Sequence, residues 1–400
     1  MARTRIISAN KALFTSATGL LAPFYGGVAG EGSGIGPAQI HRVDDLSFSV
    51  DVAGARTDVR EFGQLARITT LRTTELLAEL SFGYFLTNGE NERHLGLNVD
   101  GIVANAASSS FISGALADDP KKSKRNIYIL TVKEGDDAFD STVFNTNSSE
   151  HDVVAFGDAG ITNYSMSLAV GEIPRAEVTF EAGNIQFFAS GHSGFKNPTI
   201  AANGGPGDTG KWALFPPSTG DTIVDVLKPA DITVSFSSNT LDMGGVDLSD
   251  ICIQSASIDI PLSRTPIECL GRDGSEARPL DTPITATCSI SSLVKDFQTG
   301  SLQNILVNSI QGTPRDITLN LKDRKTKTSQ IICKLVDAVL DNQSFSQGID
   351  DNQSVDLTFS AQLGGATTTT QGLFFSGSYT TDNVTNPTSA NNGLIANIGT

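Results

Sequence analysis

The sequence carries two copies of one pattern, and this constrains the fold more than any single motif. Residues 47–63 (SFSVDVAGARTDVREFG) align without a gap with residues 255–271 (SASIDIPLSRTPIECLG) at an offset of 208. Six of these seventeen positions are identical, and most of the others exchange one apolar residue for another. A second block, residues 158–182 against 337–361, follows at an offset of 179 with eight of twenty-five positions identical. A chain that repeats a module builds symmetry from fewer subunits, which points to assembly rather than catalysis. The offset shrinks by 29 between the blocks, so the first copy holds about that many extra residues between Gly96 and Gly157.

Period-two alternation recurs along both copies. Leu46/Phe48/Val50/Val52, Ile232/Val234/Phe236, Ile258/Ile260, Ile284/Ala286/Cys288/Ile290, Ile317/Leu319/Leu321 and Val355/Leu357/Phe359/Ala361 each read as a half-buried strand. Asn88-Gly89, Glu134-Gly135, Gly171 with Pro174, and Asp341-Asn342 read as turns. Residues 72–82 have a helix-like leucine cluster, but their counterpart 280–290 alternates, so both are predicted as strands. Only residues 301–308, with Leu302, Ile305 and Leu306 behind Ser301, read as a helix. The expected fold is mainly β, two tandem modules each with a short flanking helix. The expected divisions are an N-terminal arm (1–40), a first module with an inserted loop or hairpin (41–190), a connector (191–250), a second module (251–364) and a polar C-terminal arm (365–400) that orders only against a neighbour.

The net charge of −16 argues against wrapping nucleic acid, which requires Lys and Arg to neutralise phosphates. All four cysteines, Cys252, Cys269, Cys288 and Cys333, lie in the second copy without C-x-x-C spacing and are expected to be buried thiols of a reducing compartment. Basic residues precede a moderately apolar run from Ala12 to Phe24, but Thr, Ser and Gly interrupt it, so no secretion signal is expected. No stretch approaches the roughly 20 apolar residues of a membrane helix.

The sequence offers little catalytic chemistry. The glycine-rich residues 30–36 lack G-x-G-x-x-G spacing, and Ser292-x-x-Lys295 lacks the companion motifs of a penicillin-recognising enzyme. His41, His94, His151 and His192 show no ligand spacing. No catalytic residue, metal site or cofactor is expected. A carbohydrate-binding β-protein would need clustered aromatics and paired carboxylates, whereas aromatics make up 7% of the chain. Two basic runs stand out: Lys121, Lys122, Lys124 and Arg125, then Lys322, Arg324, Lys325 and Lys327. They read either as solvated strand ends that block edge aggregation or as intersubunit contacts. Arg56 and Arg264 occupy equivalent positions, with Asp51 and Asp259 as plausible partners in an ion pair or a repeated intersubunit contact.

Residues 43–63, the phrase LSFGYFLTNGENERHLG (80–96), RNIYILTVKEGDDA (125–138) and YSMSLAVGEIPRAEVTFEAGNIQF (164–187) resemble the tail tube (major tail) proteins of tailed bacteriophages. The resemblance covers residues 41–187 and reaches 251–364 through the repeat. It implies β-sandwich modules whose inner sheets close into a β-barrel on oligomerisation. Single-module members form hexameric rings that stack into a tube, so a chain with two modules implies a trimeric, pseudo-hexameric ring. The implied role is a virion protein lining the channel for genome delivery and assembled in the bacterial cytoplasm. Its implied partners are further copies of itself, terminator, baseplate, tape-measure and sheath proteins, and DNA that passes without specific binding. The alternative is another phage ring or surface protein (tail terminator, baseplate hub, capsid decoration) or the tube of a phage-derived injection device.

Overall fold

A computed structural model describes residues 11–17, 38–52, 56–72, 77–99, 110–116, 124–132, 138, 152–189, 226–228, 232–237, 251–270, 275–294, 314–323, 326–346, 354–365, 368 and 370–378. These residues are mainly β. In chain order the elements are β1 (Lys11–Ala17), β2 (Ala38–Ile40), β3 (Val43–Val50), β4 (Arg56–Val59), β5 (Thr69–Arg72), β6 (Ala78–Phe85), α1 (Glu90–His94), β7 (Arg125–Thr131), β8 (Asp152–Ala169), β9 (Arg175–Ala182) and β10 (Asn184–Ala189). They continue as β11 (Ile232–Ser237), β12 (Ile251–Pro261), β13 (Ile267–Glu268), β14 (Ser275–Ala277), β15 (Thr285–Val294), β16 (Arg315–Lys322), β17 (Ser329–Ser346), β18 (Ser354–Gln362) and β19 (Gly372–Gly377). Fifteen strands form one antiparallel network, and β4–β5 and β13–β14 make two separate hairpins.

Eight strands of the network lie side by side in the order β3-β6-β9-β8-β12-β15-β18-β17. The first four come from the N-terminal half of the chain and the last four from the C-terminal half. β8 and β17 run for 18 residues each, about three times the usual strand length, because each serves two sheets. The early part of β8 leaves the eight strands and sits between β10 and β7, with β1 and β2 beyond. The early part of β17 sits likewise between β19 and β16, with β11 beyond.

The change of sheet has the same local cause in both strands. Asp158 and Asp337 adopt positive φ (57° and 63°), a region non-glycine residues seldom occupy and Asp tolerates best. The Asp158 N–H donates to Asn126 Oδ1 at 3.4 Å and the Asp337 N–H to Asp316 Oδ1 at 3.3 Å. A bulge follows at Ile161/Asn163 in β8 and at Leu340/Asn342 in β17, adding the bend that bulges impose. The Asp341-Asn342 turn signal therefore marks a bulge inside β17, not a turn between strands.

Registers recur between the halves. Leu80 opposes Phe180 as Cys288 opposes Phe359. Arg125 opposes Ala159 as Arg315 opposes Ala338, with an irregularity after both pairs. The first strand of each set departs from the sequence alignment. Phe48 opposes Leu80 and Ile258 opposes Cys288, and bulges fall at Val43/Asp45 and Ile253/Ser255. The geometric offset there is 210, not 208. A slide of two residues keeps every side chain on its own face, so alignment by residue type does not detect it.

The repeat also reaches further than the sequence blocks. Leu13 opposes Ile129 as Val234 opposes Leu319, and Phe187 opposes Val154 as Phe375 opposes Cys333. β1 and β11 thus occupy matching places, as do β10 and β19. β1 was expected in an arm yet is a sheet strand, and β11, read as a strand within the connector, joins the second half beside β16. β19 lies in the expected C-terminal arm but is buried at every position and paired with β17 of its own chain. It orders within the chain because its apolar residues find a sheet edge there.

The apolar rows face one side of the eight strands. Leu80, Phe82, Val178, Phe180, Ile258, Ile260, Ile290, Leu357 and Phe359 are buried in one cluster with Ile127, Phe156, Ile317 and Leu335 of the flanking sheets. Rings make several of these contacts: Phe82 stacks on Phe180 at 6.0 Å, Phe48 meets Phe156 edge-on at 5.5 Å, and Phe236 meets Phe359 at 5.9 Å. Each fully buried side chain among them contributes roughly 1.5–3 kcal/mol. The helix α1 was not expected, since five residues are too few to show a period. The helix expected at 301–308 lies outside the described residues.

Candidate assembly interface

The opposite face of the eight strands is polar and acidic. Ser47, Ser49, Glu79, Ser81, Glu177, Thr179, Glu181, Ser165, Ser167, Ser257, Asp259, Ser289, Asp356 and Thr358 alternate with the buried rows and are exposed or half-buried. Among the described positions on this face Arg175 is the basic residue, at the rim, where it approaches Asp44 (3.3 Å) and Asp45 (3.8 Å). Glu79 stands directly opposite Glu181 on the neighbouring strand. Like charges in that position destabilise a sheet.

The two ends of this sheet differ from its middle. In the middle β8 pairs with β12 over seven residues, from Ser255↔Ala169 to Pro261↔Asn163. At the ends, β3 pairs only with β6 and the later part of β17 only with β18 among the described residues. Side chains record the difference. Met166 of β8 is 1% exposed and its counterpart Phe345 of β17 is 43% exposed. Ile258 of β12 is buried, and its geometric counterpart Phe48 of β3 is 41% exposed. Unpaired strand edges template further pairing.

Apolar side chains also project from the two hairpins. Val59, Phe62, Leu65, Ile68 and Leu71 are exposed on or beside β4–β5, as are Ile267 and Leu270 on β13–β14. The hairpins match in register, since Val59↔Thr69 recurs as Ile267↔Ala277. Phe62 and Leu270 are equivalent in the sequence repeat and both are fully exposed.

A buried polar latch holds α1 against the sheet. The Tyr84 hydroxyl donates to Glu92 Oε1 at 3.0 Å and the Tyr164 hydroxyl to the same oxygen at 3.4 Å. Burial pushes the Glu92 carboxyl and both tyrosines above their usual pKa, and the two hydroxyl donors partly offset this for Glu92. Burial likewise pulls His94 down to about 3 and His41 to about 4. The 4.0 Å approach of His94 to Glu90 is therefore made by a neutral ring at neutral pH. Phe111 lies beyond the helix, edge-on to Tyr164 at 5.1 Å and stacked on Phe375 at 5.0 Å, and its N–H donates to the Leu373 carbonyl at 2.8 Å. The stretch after β6 thus crosses from the N-terminal half onto β19 of the C-terminal half.

The residues singled out in the sequence do not gather in one place. Arg264 lies over β8, where its Nε donates to the Ile161 carbonyl and its Nη1 to the Arg278 carbonyl, both at 2.9 Å. Asp259 instead accepts from Asn163 at 3.4 Å. Arg56 is exposed on β4, with Arg72 as its strand partner, and Asp51 is exposed just after β3. Lys124 pairs with Asp158 at 2.6 Å, and Arg125 is 1% exposed, with burial lowering it to about 10. Arg125 is thus buried and Lys124 half-buried at the start of β7, beside the bend at Asp158. Lys322 is half-buried and Lys327 exposed at the β16–β17 turn. Lys121, Lys122, Arg324 and Lys325 lie outside the described residues.

Of the cysteines, Cys288 and Cys333 are buried, Cys252 is half-buried and Cys269 is exposed beside β13, and none forms a disulfide. Cys269 departs from the expectation: it is exposed beside β13–β14, a hairpin separate from the large network among the described residues. Sequence reasoning did not single out Asp158 and Asp337, although the second repeat block begins on these two residues. Among the described residues no helix is long and apolar enough to cross a membrane, and no three His, Cys, Asp or Glu side chains converge as a metal site. No known protein family matches the chain, and no curated protein matches it in sequence.

Proposed function

We propose that this protein is a non-enzymatic structural subunit of a phage tail tube, closing head to tail into three-chain rings that stack around a channel. The observation that carries this reading is the pair of strand edges, on β3 and the end of β17, that pair with nothing further among the described residues, whereas their counterparts β12 and β8 pair with each other inside the chain. A second copy can therefore continue the sheet across its edge by the pairing each chain already makes internally. Each chain holds two β-sandwich modules, and three copies of eight strands give a pseudo-six-fold barrel with no edges left over.

The polar face supports the conduit role. On the inside of such a barrel its carboxylates repel duplex DNA, which carries about one charge per 1.7 Å of axis, so the genome slides rather than sticks. Retaining Glu79 opposite Glu181 at a cost to the sheet fits a surface selected for its field. The apolar hairpin tips give each ring a surface for the next, since exposed patches of this kind mark interaction sites. The site of action is the virion, with assembly in the host cytoplasm.

The test is negative-stain electron microscopy of the concentrated chain together with a cross-link across the proposed seam. The internal pair Ser257↔Ser167 maps onto Ser47 of one copy and Ser346 of the next under the geometric offset. With Cys269→Ser as background, Ser47→Cys and Ser346→Cys together should give an oxidised ladder ending at trimer, and Ser49→Cys with Ser346→Cys much less. Hollow stacked rings support the tube. Single rings that never stack favour a terminator or hub, and a chain that stays monomeric without a ladder rejects the reading.

A further inference from the structure

Inside the chain, Ile258 of β12 stands directly opposite Met166 of β8. Both residues have counterparts on the two edges. Ile258 opposes Cys288 as Phe48 opposes Leu80, and Met166 opposes Ala176 as Phe345 opposes Val355. A sheet continued between copies by the internal pairing therefore sets Phe48 of one copy directly opposite Phe345 of the next. These are the aromatic residues of β3 and of the late part of β17, one on each edge. Their counterparts are buried, at 2% exposure for Ile258 and 1% for Met166, whereas Phe48 and Phe345 are 41% and 43% exposed. The positions beside them, Ser47, Ser49, Ser344 and Ser346, are small and polar.

We propose that an aromatic pair, Phe48 of one copy against Phe345 of the next, sets the register of the contact between copies. The inference rests on the head-to-tail ring proposed above. A strand that slides by two residues keeps its faces, so alternation alone does not fix which residues meet. The internal pairing has a further anchor, because Arg264 packs over Gly160 and donates to the Ile161 carbonyl. β17 carries Val339 where β8 carries Gly160, so the contact between copies needs a determinant of its own. Directly opposite residues on one face lie close enough for two rings to touch, and aromatic pairs are among the favourable cross-strand contacts. A slide of two residues sets Phe345 against Leu46 or Val50 and parts the rings. Phe48 already meets Phe156 edge-on at 5.5 Å, so Phe345 extends an existing row of rings and closes the end of the core.

The experiment sediments the full-length chain over a concentration series, with circular-dichroism melts as the folding control. Phe48→Lys and Phe345→Glu should each raise the concentration needed for trimers by about ten- to a hundred-fold. The double variant should recover most of that loss, because opposite charges then face each other between copies. Phe345→Ser is the second variant and leaves the Phe48 contact with Phe156 untouched, should Phe48→Lys lower the melt. In the Cys269→Ser background, Phe345→Ser should weaken the ladder from Ser47→Cys with Ser346→Cys. The ladder from Ser49→Cys with Ser346→Cys, the pair that a slid strand brings together, should gain on it. If the parent forms trimers while Phe345→Ser assembles and cross-links like it, the ring stands and the aromatic pair is wrong. A double variant that melts like the parent yet assembles no better than the single variants overturns the pair as well. If the parent itself never assembles, both the ring and the pair are rejected.

Discussion

The late parts of β8 and β17 are one strand in two settings. Both follow an aspartate with positive φ and a bulge, and both pair with the strand after them in the same register. β8 then meets β12 on its other side, while β17 meets nothing among the described residues. Gly160 of β8 corresponds to Val339 of β17. The glycine makes room for Arg264, whose Nε would lie 2.8 Å from a Cβ at that position. Val339 leaves no such room, so Arg56, the sequence equivalent of Arg264, cannot anchor a neighbouring copy in the same way. The internal seam is thus fixed by a half-buried arginine over a glycine. The seam proposed between copies would rely on strand pairing and apolar contact instead.

If the halves are equivalent in their cores, the largest losses should match. Phe180→Ala and Phe359→Ala, at two sites that are each about 1% exposed or less, should each cost about 3–5 kcal/mol in urea unfolding. A large difference between them would break the equivalence. Gly160→Val copies the β17 residue into β8 and should displace Arg264, costing about 2–3 kcal/mol by the same measurement. No loss would mean that Arg264 does not hold the internal seam.

The histidines sharpen the contrast, because all four lie in the N-terminal half and so probe it alone. His94 and His41 have folded pKa values of about 3 and about 4, depressed from 6.5. Their contribution is fully present above pH 6.5 and is lost as pH falls through that value toward 3–4. Unfolding midpoints measured from pH 7.5 to 4.5 should fall on acidification, and His94→Asn should flatten the slope. The smallest effect is expected on the acidic face, where Glu181→Gln relieves the repulsion with Glu79 and should raise stability by about 0.2–1 kcal/mol in low-salt melts, less at high salt.

Much of the fold was legible in the sequence. The alternating runs at 232–236, 258–260, 317–321 and 355–361 lie within strands, and those at 46–52 and 284–290 do so apart from residues 51, 52 and 284. Of residues 72–82, read as one strand from the repeat although their leucines suggested a helix, Arg72 ends β5, 78–82 lie in β6 and 73–76 lie outside the described residues; of the counterpart 280–290, the strand β15 begins at Thr285. The candidate interface was less legible. Arg56, Arg264, Asp51 and Asp259 stood out as repeated charges, but their structural roles differ, because Arg264 packs over Gly160 of β8 whereas Arg56 is exposed on the β4–β5 hairpin. Lys124 and Arg125 read as solvated strand ends or intersubunit contacts, whereas in the fold Lys124 pairs with Asp158 of its own chain and Arg125 is buried.

The sequence by itself determined that the chain is mainly β and that its halves share a pattern, because side-chain alternation is local and survives duplication. Tertiary structure alone decided the two-residue slide of β3, the inclusion of β1, β11 and β19 in the sheets, and which equivalent surfaces are covered. Register and cover depend on which strand lies alongside, and that neighbour is distant in sequence.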